Sequence, residues 1–208
     1  MSDVTGVLAH DLLWGLTPEH LPADAPDWVI EAMNDGHPVV VRRALTAAEQ
    51  IAVGVRGRLR EQRYATLMAV AAIQRRVRPE ELCHVESDRD WPALQALVQL
   101  RPMLDDCGLS WGVSGSAGFE LASGVAALHQ HSDLDLILRT AQPLSRVQAL
   151  ELLTLLDATV CTVDMQLQTP NGAVALREWA GSAQRVLLKS ASGARLVMDP
   201  WQALEPAA

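Results

Sequence analysis

The chain has 208 residues, 49% of them hydrophobic and 20% charged, with a formal net charge of −8. That length buries a real core and admits one large domain or two small ones, which excludes a stapled mini-protein. The acidic balance argues against a general nucleic-acid binder, and the longest apolar run, Leu67 to Ile73, is far too short to span a bilayer.

The first residues, Met1-Ser2-Asp3-Val4, carry acid where a secretory signal needs positive charge, so a cytoplasmic protein is expected. A polar, proline-containing stretch leads to Trp28–Met33, an amphipathic segment closed by Asn34-Asp35-Gly36, which predicts a short helix with a glycine stop. The β-branched segments Pro38–Arg43 and Ile51–Gly57 predict two strands that pair across residues 44–50. Long-side-chain and alanine-rich helix formers from Glu61 to Val77, with Pro79 just beyond, predict a helix. Residues 79–92 are the most linker-like, which sets a domain boundary near 82 and divides the chain into 1–82 and 83–208.

The second part reads as a helix over Pro92–Leu104, a strand over Leu109–Val113 and a short helix over Ala117–Ser123. A strand follows in which Leu134, Leu136 and Leu138 alternate with Asp133, Asp135 and Ile137, then an amphipathic helix over Leu144–Leu156 and a strand over Ala158–Leu167. Arg185–Lys189 and Ala194–Met198 flank Ser190-Ala191-Ser192-Gly193 as a hairpin with a four-residue loop. This order predicts a mixed α+β fold: a small N-terminal α/β domain and a C-terminal domain with a mixed sheet. Cys83, Cys107 and Cys161 are odd in number and lack CxxC spacing, so reduced, inert thiols are expected rather than a disulfide or zinc framework.

Charge is unevenly spread. Residues 1–36 hold seven acids and no Lys or Arg, whereas residues 42–78 hold nine arginines against only Glu49 and Glu61. Such a block marks either a solvated face or a surface for phosphate or an acidic protein.

The chemistry concentrates later. Carboxylates two residues apart on a strand share a face, so Asp133 and Asp135 point together while Leu134 and Leu136 enter the core. Paired acids repel unless a cation lies between them, and hard oxygen ligands suit Mg²⁺, which completes its shell with water and substrate phosphates. Seventeen residues before Asp133, Ser114-Gly115-Ser116 leaves a strand and enters a helix, offering backbone N–H groups, a hydroxyl and a positive helix end to an anion. DxD pairs and Gly-Ser turns are each common; joined in the order strand, Gly-Ser, helix, Ser-Asp-Leu-Asp-Leu strand, they match the nucleotidyltransferase signature. That resemblance implies a third acid, for which Asp164 in Thr162–Leu167 is the candidate, with Asp157 a weaker one at a helix end. Lys189 is a candidate phosphate ligand or a solvent-facing lysine; Ser132 binds phosphate or merely starts the strand; His129 and His131 stay unassigned, since nothing else of a zinc motif is present.

The wider chain resembles the malonate decarboxylase holo-acyl-carrier-protein synthases, also called phosphoribosyl-dephospho-CoA transferases. The resemblance rests on His10–Trp14, Val39–Arg43, Val53–Gly57, Gly115-Ser116, Ser132–Leu136, Asp164-Met165-Gln166, Leu176–Trp179, Leu188-Lys189 and Asp199-Pro200-Trp201. It implies transfer of a prosthetic group from triphosphoribosyl-dephospho-CoA to a serine of the malonate decarboxylase acyl carrier protein, with loss of pyrophosphate. Asp133, Asp135 and Asp164 are then the catalytic and metal-holding acids. Gly115, Ser116, Ser132 and Lys189 take phosphates, and Arg42, Arg43, Arg56 and Arg58 take the CoA-derived end or an acidic face of the carrier. A nucleotidyltransferase using ATP on another hydroxyl and a non-catalytic carrier-binding subunit are the alternatives.

Overall fold

In the computed structural model, which describes residues 6–59 and 61–202, two sheets pack side by side. Residues 1–4 and Arg60 of the arginine run lie outside the described residues. The first sheet is antiparallel, in the order β4-β3-β2-β1-β5, with β1 Leu12–Trp14, β2 Val39–Val41, β3 Gln50–Arg56, β4 Arg63–Ala69 and β5 Arg75–Val77. Helix α1, Asp27–Asn34, buries Val29, Ala32 and Met33 against it. These three lie three and four residues apart on one helical stripe. Leu13, Leu16, Val39, Val41, Val53, Val55 and Met68 complete that core.

The second sheet has the order β11-β10-β9-β8-β7-β6. Its strands are β6 Trp111–Val113, β7 Leu134–Arg139, β8 Val163–Thr169, β9 Gly172–Ala175, β10 Val186–Ser190 and β11 Gly193–Val197. Only β7 and β8 run parallel, joined by the crossover helix α4, Arg146–Leu156; the other neighbours are antiparallel. Parallel strands need such a crossover, and Ser145 starts it by accepting the Gln148 backbone N–H at the cap. Helices α2, Pro92–Asp106, and α3, Gly115–Ser123, contact β7, and the short α5, Leu176–Ala180, follows β9. Leu12 and Val77 from the first sheet join the core of this second half.

The mixed α+β expectation and most predicted elements hold, and four readings are corrected. The helix predicted over 61–77 is instead β4, a 3-10 turn at Val70–Ala72 and β5. Pairing with β3 over seven residues, from Gln50↔Ala69 to Arg56↔Arg63, overrides the helix propensity of its alanines and long side chains. The strand expected from 158 begins at Val163, because residues 158–162 close the end of α4 with turns such as Ala158 N–H to the Leu155 carbonyl. The hairpin loop is two residues rather than four, since Ser190 and Gly193 are themselves paired. The linker-like stretch starts as a 3-10 turn, Pro79–Leu82, with Leu82 and Cys83 buried in the core. Strands β1 and β9 and helix α5 were too short to show in the sequence pattern.

Candidate active site

Strand alternation sends Leu134, Leu136 and Leu138 inward, each essentially fully buried, while Asp135 projects from the opposite face and Asp133 lies exposed just ahead of β7. Because β7 and β8 run parallel in register, Asp135 is paired directly with Asp164. The two carboxylate-bearing residues are thus next neighbours across the sheet, and Asp133 extends the same rim.

The Gly-Ser turn is built onto this rim. The Ser114 N–H donates to the Asp135 carbonyl at 2.9 Å, and the Gly118 N–H returns to the Ser114 carbonyl at 2.9 Å as α3 begins. Gly115 sits in the left-handed region at φ 61, and a Cβ there would overlap Oδ2 of Asp135 and stand 2.5 Å from its Cγ. The carboxylate therefore fills the space that any other residue at 115 would claim. Glu120, buried on α3, accepts the Ala127 and Leu128 N–H groups at 2.7 and 2.8 Å and so shapes the loop leading back to the acids.

A cavity of about 650 Å³ opens above the rim, with walls from both sheets. Gly115, Ser116, Ser132, Asp133, Asp135 and Asp164 line it from the second half. Arg42, Arg56, Arg58, Arg63, Tyr64 and His10 line it from the first. Arg56 reaches furthest, donating to Ser116 Oγ at 2.7 Å and to the Ala127 carbonyl at 3.2 Å, with its guanidinium 5.5 Å from the Phe119 ring centre. Burial, then the nearby Arg63, lowers the Arg56 pKa to about 10, and the Asp135 and Glu120 carboxylates oppose that shift. A cation is thus seated on the hydroxyl of the Gly-Ser turn beside an acid.

Arg43 is placed differently. It is not part of this cavity wall but donates to Gln168 Oε1 at 2.7 Å and Gln166 Oε1 at 3.4 Å on β8, linking the sheets; burial and the neighbouring Arg139 lower its pKa. Lys189, expected among the phosphate ligands, does not line this cavity with Gly115 and Ser116; it lines a smaller one of about 220 Å³ that shares Asp135 and Asp164 with the first. The Ser132 hydroxyl accepts the His129 N–H at 3.0 Å, and His129 Nδ1 accepts the His131 N–H at 3.1 Å, so these groups fold the loop at the cavity wall. Asp157 pairs with Arg177 at the end of α4 and itself lines neither cavity.

Sequence reasoning missed His10, Arg63 and Tyr64 as cavity residues. Arg63 and Tyr64 alternate with their neighbours on β4, a period-two signal hidden under the helix reading. His10, at φ 78, is held by turn geometry that no pattern announces. Burial first, then Arg43 and Arg139, lower its pKa to about 4 against a bond with Gln166 that raises it.

The donor set fits a hard divalent cation in one respect: Asp133, Asp135 and Asp164 line one cavity, and the absence of a side chain at Gly115 leaves the room that Asp135 occupies. Among the described residues no group of three His, Cys, Asp or Glu side chains is gathered into a ready ligand set. An ion here would take further ligands from water and substrate, the habit of Mg²⁺. No helix among the described residues is long and apolar enough to cross a membrane.

Comparison with known proteins adds to this geometry. The family model for the phosphoribosyl-dephospho-CoA transferase MdcG N-terminal domain matches residues 8–79, and that for the MdcG C-terminal domain matches residues 81–200. A phosphoribosyl-dephospho-CoA transferase of Pseudomonas fluorescens is 68% identical over 201 residues, covering 97% of both chains. One from Pseudomonas syringae pv. tomato is 61% identical, covering 96% of this chain and 95% of its own, and one from Azotobacter vinelandii is 56% identical, covering 93% of each. No solved structure matches significantly.

Proposed function

The chain belongs to the phosphoribosyl-dephospho-CoA transferase family and is a transferase enzyme, and from that premise we propose what it transfers and how. The group is phosphoribosyl-dephospho-CoA, the donor its triphosphoribosyl precursor, and the acceptor a serine of the malonate decarboxylase acyl carrier protein. The serine oxygen attacks the α-phosphorus. A P–O bond to the serine forms as the bond to the bridging β-phosphate oxygen breaks, pyrophosphate leaves, and the serine proton passes to Asp164 or to solvent.

The observation that carries this reading is the Asp135 carboxylate lying in the space that Gly115 leaves open, with the Arg56 guanidinium on Ser116 beside it. An anion at the start of α3 meets free N–H groups, the helix dipole and that guanidinium together. The β- and γ-phosphates belong there, which gives Arg56 to the phosphates rather than to the CoA end. A guanidinium fork suits phosphate well. Arg42 and Arg58, with Arg63, are left for the dephospho-CoA portion, and Ser132 supports the wall. The 650 Å³ volume lies within the range of about 300–1,000 Å³ typical of small-molecule sites. Asp133 and Asp135, with Asp164, would hold Mg²⁺, which when bound neutralises charge developing on the phosphate oxygens.

The test is mass spectrometry of the apo carrier protein incubated with this enzyme, Mg²⁺ and the precursor, with Asp133→Asn/Asp135→Asn in parallel. The expected result is a mass gain of one phosphoribosyl-dephospho-CoA group that the double variant abolishes. No gain, together with labelling of another acceptor from ATP, would transfer the site to a different substrate pair.

A further inference from the structure

The smaller cavity has no role in what precedes. It is lined by Asp135, Asp164, Gln166, Ala175, Arg177 and Lys189 among others, and only Asp135 and Asp164 belong also to the large cavity. The large cavity draws its second-half walls mainly from α3 and the loop 127–133 ahead of β7, while the small one draws mainly on β8, β9, β10, α4 and α5. The carboxylate pair on β7 and β8 is therefore the partition between two openings.

Resting on the transfer reading above, we infer that the small cavity is the port through which the carrier protein presents its serine. Three observations lead there. An in-line displacement requires the attacking and leaving oxygens on opposite sides of the phosphorus. With the leaving pyrophosphate over Gly115, Ser116 and Arg56, the nucleophile arrives from the far side of the acid pair, where this cavity lies. Its 220 Å³ falls below the roughly 300 Å³ at which drug-sized ligand sites begin, so it excludes the precursor and admits a side chain.

The third observation is the surface around it. Lys189 is paired with Ala173, and Ala173 lies opposite Gln168 on β8, so Lys189 shares the sheet face of Gln166, Gln168 and Asp164. Leu187 is on that face too, and its cross-strand partner on β11 is Leu196, a large apolar side chain 60% exposed. Lys189 and Arg177, both exposed, put positive charge at this mouth, which suits an acidic protein surface. In this arrangement the serine oxygen enters past Lys189, bonds to the α-phosphorus, and displaces pyrophosphate into the arginine-lined cavity; the proton is released to water.

Ala175→Trp, at an exposed position on the port, would plug it without altering a carboxylate, and Lys189→Glu would reverse its charge. The measurements are the KM for carrier protein, the transfer rate, and precursor binding by calorimetry, with thermal melting to show that each variant folds. Both variants are expected to raise the carrier KM or lower transfer by about tenfold or more, the scale of one lost contact of about 1.4 kcal/mol, with precursor affinity unchanged. Arg58→Glu is expected to do the reverse. An unchanged carrier KM and an unchanged transfer rate in both port variants, or weakened precursor binding instead, overturns the port while the transfer reading stands. Failure of the unaltered enzyme to load the carrier overturns the transfer reading and removes the carrier from this port with it.

Discussion

Replacing Gly115 with alanine isolates the contact on which the site is built. At φ 61 an L-residue pays about 1–2 kcal/mol for the left-handed conformation. The new Cβ would also stand 2.5 Å from Cγ of Asp135, whereas carbon atoms rest about 3.5 Å apart, so the carboxylate must retreat by roughly 1 Å. A displacement of that size at a reacting centre costs about 10²-fold in rate. Gly124, which ends α3 at φ 74 with nothing within 4 Å of its own Cβ position, provides the control. Gly124→Ala carries the same backbone cost and moves no carboxylate. Both variants should therefore lose about 2–8 °C in Tm, as 1–2 kcal/mol implies for a chain of this size, but only Gly115→Ala should lose about 10²-fold in kcat/KM for carrier loading. Equal kcat/KM in the two variants would refute the reasoning.

Arg56→Ala removes a charged donor from the phosphate turn, worth about 1.5–3 kcal/mol; calorimetry should show the Kd for pyrophosphate or precursor rising by about 10- to 100-fold, and a change under twofold would dissociate Arg56 from the phosphates. His10 makes stability depend on pH. Its folded pKa of about 4 lies below its unfolded value of 6.5, so between those values the unfolded chain holds the extra proton. The stability contribution is complete above the unfolded pKa and drains as pH falls from 6.5 toward 4, by up to about 1.4 kcal/mol per pH unit. Urea midpoints at pH 5 and pH 7 should converge in His10→Gln, and an unaltered pH slope in that variant would contradict the assignment. Burial, then Glu80 and Asp105, push the Cys83 thiol up to about 12, and burial raises Cys161, so alkylation near pH 8 followed by peptide mapping should modify the exposed Cys107 first. Early modification of Cys83 would contradict its burial.

The acid rim was legible because its information is local. Leu134, Leu136 and Leu138 announce the strand by alternation, and that same alternation puts Asp133 and Asp135 together; Gly115 and Ser116 announce the turn by residue type. Register between strands is not local. Asp135 opposite Asp164 became visible only once β7 and β8 were paired, although the need for a third acid had directed attention to Asp164. Arg56 and Ser116 lie sixty positions apart, so nothing in the chain order joins them. The arginine run was visible as charge but not as geometry, because β4 is made of residues that favour helices and become a strand only by lying along β3. That error also hid why Arg56, Arg58 and Arg63 converge: Arg56 and Arg63 flank a single hairpin connection and Arg58 lies within it. Arg43 shows the converse, a charge that the run made a ligand and that the fold spends on two glutamines of β8.

The turn at Pro79–Leu82 has a mechanical consequence. Gly112 on β6 lies so close to it that a Cβ would stand 2.5 Å from the Pro79 carbonyl carbon and 2.7 Å from the Glu80 nitrogen, and Arg139 on β7 holds Glu80 at 2.7 Å. A clamshell motion about this turn would have to lift it off the strand on which it is seated. On the proposed reading, the cavity would then receive its donor as a mould rather than as a closing jaw, with Gly112 and Arg139 keeping the turn seated.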